Sequence, residues 1–554
     1  MGDNAGQSCN YHAAMIDKPQ DAESPIWHRR VLTRGIEAAA RRVTRGLDVA
    51  LHRAYGWRWN PLHQSGALAA WLLVVLAVTG TYLLLFYRVG APAASVQRIA
   101  DDVWLGAWVR TLHRYATAAF VVSAALHALR LLAQARSWGP RARAWVTGVF
   151  LLGVGLACAW TGYVMAWDSF GMRLAVGGAR LFDVLPVLSE PVSRIFAGDR
   201  PVPEAFFFIN LFIHITLPLA MGVGLWLHVS KVARPVLSPP RALRWRVTAV
   251  LTAVAVLMPA PLGPAAELLR LPQNTPLDLF TTWWLPLAER SSPWTVWSAA
   301  LALTALALFV PRLMRRPRTA NWTPSVVDPR LCTGCDQCTQ DCPWEAITMV
   351  PRDDDRPTLV ALVDPALCVS CGICAGSCAP MGVGPPLHTG RDQLAEVRAS
   401  LGLELAAGTE REPQVVVVCC GQIFDDARRR FAAADGRIHL VPCVGNLHSS
   451  VVELLLRQGA AGVMIAGCPP RDCVGREGPK WLEERLYNDR EAELQPRVDR
   501  RRVRTLTVAA GLEGKALEAF GEFRREVLAM EAPDPEGNHD LGAECEPEPS
   551  EVLP

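Results

Sequence analysis

Eight of the sixteen cysteines form two short runs with the same internal spacing, C-x2-C-x2-C-x3-C. The first run is Cys332, Cys335, Cys338 and Cys342, followed directly by Pro343. The second run is Cys368, Cys371, Cys374 and Cys378, with Ala379 before the proline. In such runs three closely spaced thiolates hold one iron–sulfur cluster, and the fourth reaches a neighbouring cluster. The two runs therefore predict a pair of clusters that exchange one ligand each.

This reasoning assigns ligands to two 4Fe–4S clusters. The ligands of the first are Cys332, Cys335, Cys338 and Cys378. Those of the second are Cys368, Cys371, Cys374 and Cys342. A pair of zinc sites is the alternative, but zinc sites rarely use eight cysteines in this doubled order. The stretch resembles a bacterial two-cluster ferredoxin, which implies a ferredoxin-like α+β domain in a reducing compartment.

Residues 410–530 alternate short β-rich runs with helical stretches, which predicts a small parallel α/β domain. Cysteines stand at or just beyond the ends of three of these runs: Cys419, Cys420, Cys443, Cys468 and Cys473. Because the carboxyl ends of parallel strands converge on one crevice, these thiols can meet and hold a further cluster, a candidate 2Fe–2S centre. Of the adjacent Cys419 and Cys420, only one is expected to be a ligand. The alternative is that these cysteines pack as small hydrophobic residues.

This α/β region resembles the iron–sulfur delta subunit of methyl-viologen-reducing hydrogenase. The resemblance rests on Val441–Gly445, Gly459–Val463 and Gly467–Cys473. That family links hydrogenase or formate dehydrogenase to a flavin-containing heterodisulfide reductase, so the resemblance implies a cytoplasmic redox partner of the flavin or hydrogenase type. The family usually has C-x2-C after its first strand, whereas this chain has two adjacent cysteines followed by Gly421.

Four histidines in apolar sequence form a matched array. His113 and His127 are separated by 14 positions, and His214 and His228 repeat that separation. Fourteen residues are just under four helical turns, so both histidines of a helix point the same way, about 21 Å apart. Two such helices can clamp two haems, with His113 and His214 at the outer surface and His127 and His228 near the cytoplasm. Hydrogen bonding to a neighbouring helix is the alternative for any single histidine, but buried polar groups in a bilayer are costly and usually functional.

With these histidines, Trp57–Pro235 resembles the cytochrome b of quinol-oxidising bc and bf complexes, with a weaker continuation to about Pro311. In that family, glycines 14 residues apart in the first and third helices lie where the haem edges pass. This chain has the corresponding glycines Gly66, Gly80, Gly148 and Gly162. The resemblance implies two b haems, with membrane quinone as the substrate, and it allows a homodimer through this part.

The segment Gly162–Asp168 resembles the quinol-site motif of that family, with Met-Ala in place of the usual Leu-Pro. It makes Tyr163 and Trp167 candidates for a quinone site. The Pro-Glu-Trp-Tyr motif of the family, whose glutamate takes a quinol proton, has no clear counterpart. The nearest stretch is Thr281–Trp284, which lacks the acid, so the usual outer quinol oxidation is not assured by the sequence.

The elements that must position these residues include several membrane spans, which need roughly 20 apolar residues each. Of the 554 residues, 51% are hydrophobic, and four uncharged stretches are long enough: Ala67–Phe86, Ala144–Trp167, Ala205–Ser230 and Ser291–Pro311. Two weaker ones, Tyr115–Leu129 and Val247–Ala266, bring the expected number to six. Basic residues concentrate in the loops that share a side with both termini, which predicts that these loops, the termini and the iron–sulfur domains are cytoplasmic.

The expected fold is multi-domain: an α-helical transmembrane bundle, the two-cluster domain and the small parallel α/β domain. An Arg-rich amphipathic segment occupies residues 1–60, and a four-helix di-haem domain occupies 61–235. Two additional spans fall in 236–318, the ferredoxin domain in 319–390, the α/β domain in 410–530 and an acidic disordered tail in 531–554. The 56 basic and 53 acidic residues nearly cancel, which gives no reason to expect a nucleic-acid partner.

Read in order along the chain, the modules predict a wire from quinone through the outer haem, inner haem and two 4Fe–4S clusters to a docking domain with its own cluster. The first hypothesis is therefore a membrane subunit of a quinone-linked respiratory oxidoreductase that passes single electrons to or from a cytoplasmic partner. The second is a membrane anchor and electron relay without its own quinone site, which docks a hydrogenase or heterodisulfide-reductase-like enzyme. A redox sensor is disfavoured because no signalling module follows the clusters. The sequence leaves catalytic residues unknown.

Overall fold

The computed structural model describes residues 26–530 apart from 187–188, 199–200, 270–277, 315–322, 355, 400–413, 422, 424, 489 and 491. The first 25 residues of the predicted N-terminal segment and the predicted acidic tail thus lie outside the described residues. Helix α1, Ile26–Tyr55, occupies most of the remainder of the N-terminal segment and is rich in arginine.

The membrane part is a bundle of long apolar helices. Its first half contains α2 (Ser65–Leu84), α3 (Pro92–Asp101), α4 (Gly106–Ala133), α5 (Ala142–Ala166) and α6 (Ser169–Asp183). Its second half contains α7 (Glu204–Val229), α8 (Arg241–Leu257), α9 (Leu285–Arg290) and α10 (Pro293–Leu313). Within the described residues, 5 helical stretches are long and apolar enough to cross a membrane: Trp57–Leu84, Gly106–Ala133, Gly139–Ala166, Glu204–Val229 and Pro293–Leu313.

Helix α8 lies where the sixth span, Val247–Ala266, was expected, but it is not among these five stretches and its bounds differ. It begins at Arg241 and ends at Leu257, because Pro259 and the prolines after it cannot continue a helix. In the middle of α8, Thr248 accepts a hydrogen bond from Trp71 of α2. Just past its end, the carbonyl of Met258 accepts one from Tyr115 near the start of α4. These two contacts place α8 against both α2 and α4, but its 17 residues extend over only about 26 Å, less than the roughly 30 Å of a bilayer core.

The two-cluster domain contains two small antiparallel sheets and short helices. Strand β1 (Val326–Val327) pairs with β4 (Val383–Gly384), and β2 (Ile347–Val350) pairs with β3 (Val360–Val363). The helices are α11 (Gln337–Asp341), α12 (Ile373–Gly376) and, at the end of the domain, α13 (Gly390–Val397). Helices α11 and α12 each follow the first cysteines of one run, so each run wraps into the start of a helix.

The last domain is a four-stranded parallel sheet in the order β6-β5-β7-β8. The strands are β5 (Val415–Cys420), β6 (Arg437–Val441), β7 (Gly462–Gly467) and β8 (Val503–Thr507). The flanking helices are α14 (Asp425–Ala433), α15 (Ser449–Arg457), α16 (Gly478–Tyr487) and α17 (Glu513–Leu528). All residues of β5 and β7 are buried, as expected for central strands covered on both faces. The predicted multi-domain fold class is confirmed.

Both iron–sulfur domains lie at the end of the bundle where α4 ends. Gln134 donates a hydrogen bond to the side chain of Asp472, 2.7 Å away. Arg234, just past the end of α7, bonds to Glu477 at 2.7 Å and to the carbonyl of Gln340 in the two-cluster domain. The three parts of the chain therefore meet at one junction.

Candidate redox centres

The two histidine-bearing helices, α4 and α7, bring the four histidines together in two pairs. The ring centres of His113 and His214 are 6.4 Å apart. A metal bound to both rings needs about 2 Å on each side, so this separation has room for one iron atom between them. At the other end of the two helices, His127 and His228 are close enough to interact electrostatically. The pairing by depth is the one expected from the spacing of 14.

Each of the four glycines lies against one histidine. A Cβ on Gly66 would come 2.7 Å from the ring of His127. A Cβ on the others would come 3.0 to 3.2 Å from an imidazole carbon, with the pairs Gly80 and His113, Gly148 and His228, and Gly162 and His214. These distances are shorter than ordinary carbon contacts, so the missing side chains make room for the rings. Helices α2 and α5 thus pack against α4 and α7 and leave space for the imidazole rings.

A hydroxyl residue precedes each glycine, a pattern that the sequence reasoning missed. Thr79 Oγ1 lies 2.8 Å from Nδ1 of His113, and Thr161 Oγ1 lies 3.0 Å from Nδ1 of His214. Thr147 has the same relation to His228 at 3.0 Å. Ser65 precedes Gly66 at the fourth position. The positions 65, 79, 147 and 161 repeat the spacing of 14, so the signal was present in the sequence.

These hydrogen bonds determine which imidazole nitrogen is free. Thr79 donates its own hydrogen to the carbonyl of Val75 at 2.7 Å, so Nδ1 of His113 must be the donor to the threonine oxygen. For His214, Nδ1 also faces the carbonyl of Cys158 at 3.1 Å, which can only accept. In both rings Nδ1 therefore carries the hydrogen and Nε2 keeps its lone pair, the arrangement that a metal-bound histidine requires. The residues present fit haem ligation.

The candidate quinone residues lie at the opposite end of the bundle from the iron–sulfur domains. Tyr163, near the end of α5, donates a hydrogen bond to Oδ2 of Asp278 at 2.5 Å. The guanidinium of Arg114 lies 5.2 Å from the centre of the Tyr163 ring. Trp167 instead packs among phenylalanines, with Phe207 closest at 4.7 Å between ring centres. Sequence reasoning missed Asp278, which stands three positions before Thr281.

The eight cysteines of the two runs line two separate pockets. One pocket is lined by Cys332, Cys335, Cys338 and Cys378. The other is lined by Cys342, Cys368, Cys371 and Cys374. Each pocket therefore takes three cysteines from one run and the last cysteine from the other. Four thiols around a small cavity form a donor set that fits a cubane cluster.

Four cysteines of the α/β domain meet at the carboxyl edge of its sheet, and we call them the thiol quartet: Cys420, Cys443, Cys468 and Cys473. The sulfur atoms of Cys420 and Cys468 are 3.9 Å apart. Hydrogen bonds from Cys443 and Cys468 hold the pKa of the Cys473 thiol well below its usual value, and the nearby charge of Arg136 lowers this pKa further. A thiol that loses its proton readily is prepared to bind a metal.

Cys419 is not part of this quartet. Successive side chains of a strand point to opposite faces, so Cys419 lies on the face of β5 opposite to that of Cys420. Burial raises the pKa of Cys419 to about 12, as expected for a thiol that packs as a hydrophobic residue. The structure thus separates the two adjacent cysteines.

The geometry defines a membrane electron-transfer protein of the cytochrome b type with appended iron–sulfur domains. Comparison with known proteins agrees: residues 58–256 match the family Cytochrome b/b6/petB. Residues 331–382 match the 4Fe-4S dicluster domain, and residues 417–531 match the methyl-viologen-reducing hydrogenase delta subunit. These matches confirm the three resemblances found in the sequence, and they imply haem b and iron–sulfur clusters.

Two curated relatives each match about a third of this chain. Cytochrome b6 of Heliobacterium mobile is 31% identical over 179 residues, which are 32% of this chain and 84% of that protein. The menaquinol:cytochrome c reductase cytochrome b subunit of Geobacillus thermodenitrificans is 26% identical over 195 residues, 33% of this chain and 86% of that protein. The chain belongs to the cytochrome b/b6 family, and it is a membrane electron-transfer subunit.

Proposed function

We propose that the chain is the membrane subunit of a quinone-linked respiratory oxidoreductase, which passes single electrons between the quinone pool and a cytoplasmic redox partner. His113 and His214 hold the outer haem b, and His127 and His228 hold the inner one. The observation that carries this proposal is that each of the four histidines lies against its own glycine in a helix that faces it. If the histidines merely formed hydrogen bonds inside the bundle, there would be no need for a glycine against each of the four rings.

The iron–sulfur part supplies three further centres in this proposal. Two are 4Fe–4S clusters in the two cysteine-lined pockets, with the ligand exchange between runs that the spacing predicts. The third is a 2Fe–2S cluster in the thiol quartet. The protein supplies ligands, distances and a low dielectric, and the bound groups supply reversible one-electron chemistry.

The orientation of the chain in the membrane is part of the proposal. Basic residues collect at the end of the bundle that bears the iron–sulfur domains: Arg136, Arg141, Arg143, Lys231, Arg234, Arg241, Arg244, Arg246 and Arg312. Cytoplasmic loops carry such an excess of arginine and lysine. The iron–sulfur domains are therefore cytoplasmic, and the end with Tyr163 faces outward.

The outer end offers a place for quinone chemistry. Oxidation of a quinol releases two electrons and two protons, so the site needs a proton acceptor. The carboxylate of Asp278, hydrogen-bonded to Tyr163 and close to Thr281, can fill the role for which Thr281–Trp284 has no acid. Tyr163 then positions this carboxylate, whereas Trp167 packs against Phe207.

The second candidate is a membrane anchor and electron relay without a quinone site of its own, which docks a hydrogenase or heterodisulfide-reductase-like enzyme. It is favoured by the absence of the Pro-Glu-Trp-Tyr acid from Thr281–Trp284. The two candidates differ in one measurement on the purified full-length protein, which is the reduction of its haems by a soluble quinol analogue. Reduction within seconds that is slowed in an Asp278→Asn variant supports the quinone site. Haems that dithionite reduces and the quinol analogue does not would reject it.

A further inference from the structure

The order of the domains along the chain predicts that the wire ends in the α/β domain, but the fold places that domain's thiols elsewhere. We infer that the thiol quartet is an internal relay between the inner haem site and the two-cluster domain. The end of the wire that meets a soluble partner is then the pocket of Cys332, Cys335, Cys338 and Cys378. This inference rests on the proposed function and assigns its partner-facing surface.

The first support is the contact between the quartet and the membrane bundle. The loop that contains Cys473 is bound by the end of α4: Arg136 donates hydrogen bonds to the carbonyls of Cys473 and Val474. Arg130, in the last turn of α4, pairs with the side chain of Asp472. His127 precedes Arg130 by three residues, about 4.5 Å along the axis. The quartet therefore sits directly beneath the inner histidine pair.

The second support is the contact between the quartet and the two-cluster domain. A Cβ placed on Gly475 would lie 3.2 Å from the sulfur of Cys443, and 3.7 Å from both the sulfur of Cys473 and Cβ of Cys371. Cys371 lines the pocket of the second cysteine group. Asn446, in the loop after Cys443, holds the interface by donating a hydrogen bond to the carbonyl of Gly372 at 3.0 Å. Only a glycine separates the two sets of thiols.

The third support is burial. The four thiol residues of the quartet are between 0% and 8% exposed, because the bundle, the α/β sheet and the two-cluster domain enclose them. Among the cysteines of the described ranges, Cys335 alone is exposed. Its neighbour Thr333 is also exposed. A soluble redox protein can bring its own centre close to Cys335, whereas the quartet has no surface to offer it.

A competing route would bypass the quartet. Trp344 lines the pocket of the second cysteine group, and the guanidinium of Arg141, at the start of α5, lies 5.2 Å from its ring centre. An electron could pass through this contact directly to the inner haem site. In either route one electron leaves a reduced centre and enters its oxidised neighbour, without bond formation or proton transfer. The test must therefore separate the two routes.

The test uses the full-length protein and photoreduced flavodoxin, a protein-sized one-electron donor that does not enter the membrane. Haem absorbance is followed after rapid mixing. In a Cys420→Ser variant we expect loss of fast haem reduction, with haem content and both 4Fe–4S signals retained. Cys419→Ser is the matched control, since this neighbour is equally buried and lies outside the quartet, and it should reduce at the unmodified rate. Equal rates in both variants would overturn the relay and favour the route through Trp344.

Two further measurements address the two ends of the wire. Thr333→Trp should obstruct the Cys335 face and slow haem reduction by flavodoxin, and an unchanged rate would overturn the assignment of that face. The second measurement uses the unmodified protein and needs no folded Cys420→Ser variant. Oxidation of the haems should speed the spin relaxation of the quartet centre more than that of the Cys335 centre. The reverse order would overturn the relay. Failure of the proposed function would be visible separately, as haems that a quinol analogue does not reduce.

Discussion

Gly66→Ala should remove the inner haem and leave the outer one. The added Cβ would lie 2.7 Å from Cε1 and Nδ1 of His127, so the ring must retreat by about 0.7 Å to reach the 3.4 Å at which ordinary contact begins. Overpacking of this kind destabilises a folded protein by about 1–3 kcal/mol. The higher helix propensity of alanine offsets up to about 1 kcal/mol of that loss, so the bundle should still fold. Metal ligands, however, tolerate displacements of only about 0.2 Å, and the imidazole would leave the iron.

The assay is the haem content per chain and the redox titration of the reduced-minus-oxidised absorbance. We expect one haem in place of two in Gly66→Ala. Gly80→Ala is a graded comparison, because its Cβ would lie 3.2 Å from His113 and the required retreat is within the tolerance of a ligand, so both haems should remain. Gly153→Ala, with no atom within 4 Å, controls for the substitution itself. Two haems with unchanged potentials in Gly66→Ala would refute the reasoning.

Three further predictions follow from single contacts. Thr79→Val removes the oxygen that accepts from Nδ1 of His113; the less basic ring should raise the outer haem potential by about 40 mV, or ~1 kcal/mol for one electron, in a redox titration. Asp278→Asn should slow haem reduction by a quinol analogue roughly 100-fold or more in stopped flow, without loss of haem. Arg485→Met removes a buried guanidinium that donates hydrogen bonds to the Ser377 hydroxyl of the two-cluster domain and to the Gly445 carbonyl of the α/β domain. Each buried acceptor left without a donor costs about 1–3 kcal/mol, so the clusters should bleach at a lower temperature, whereas the exposed Arg501→Met should change nothing.

The fold class and the three domains could be predicted because their signals are local in sequence. Cysteine runs, helical spacing and strand alternation each lie within a few tens of residues, and the family matches confirm what they indicated. The bounds of the sixth helix were less accurate because the apolar run continues to Ala266, whereas the helix ends at Leu257. The sequence analysis assigned the arginines at its start, including Arg241, to a loop. In the structure they belong to the helix and extend it toward the end of the bundle that bears the iron–sulfur domains.

For the candidate sites too, the sequence predicted what depends on local spacing and missed what depends on contacts between distant segments. Spacing alone indicated which cysteines share a pocket and which histidines share a depth, since a repeat of 14 places residues on one helix face whatever surrounds the helix. It could not indicate that Asp278 meets Tyr163, because these residues are far apart in sequence and their contact depends on how the segment before α9 folds over α5.

The sequence by itself determined the kinds of centre that this protein can hold, because ligand type and local spacing are properties of short segments. Only the tertiary structure decided that Cys420 and not Cys419 joins the quartet, and that this quartet lies between the membrane bundle and the two-cluster domain. The physical reason is that domain order along the chain does not constrain domain order in space. Contacts such as that of Arg136 with the loop of Cys473 form between segments more than 300 residues apart, and they arise only when both surfaces are folded.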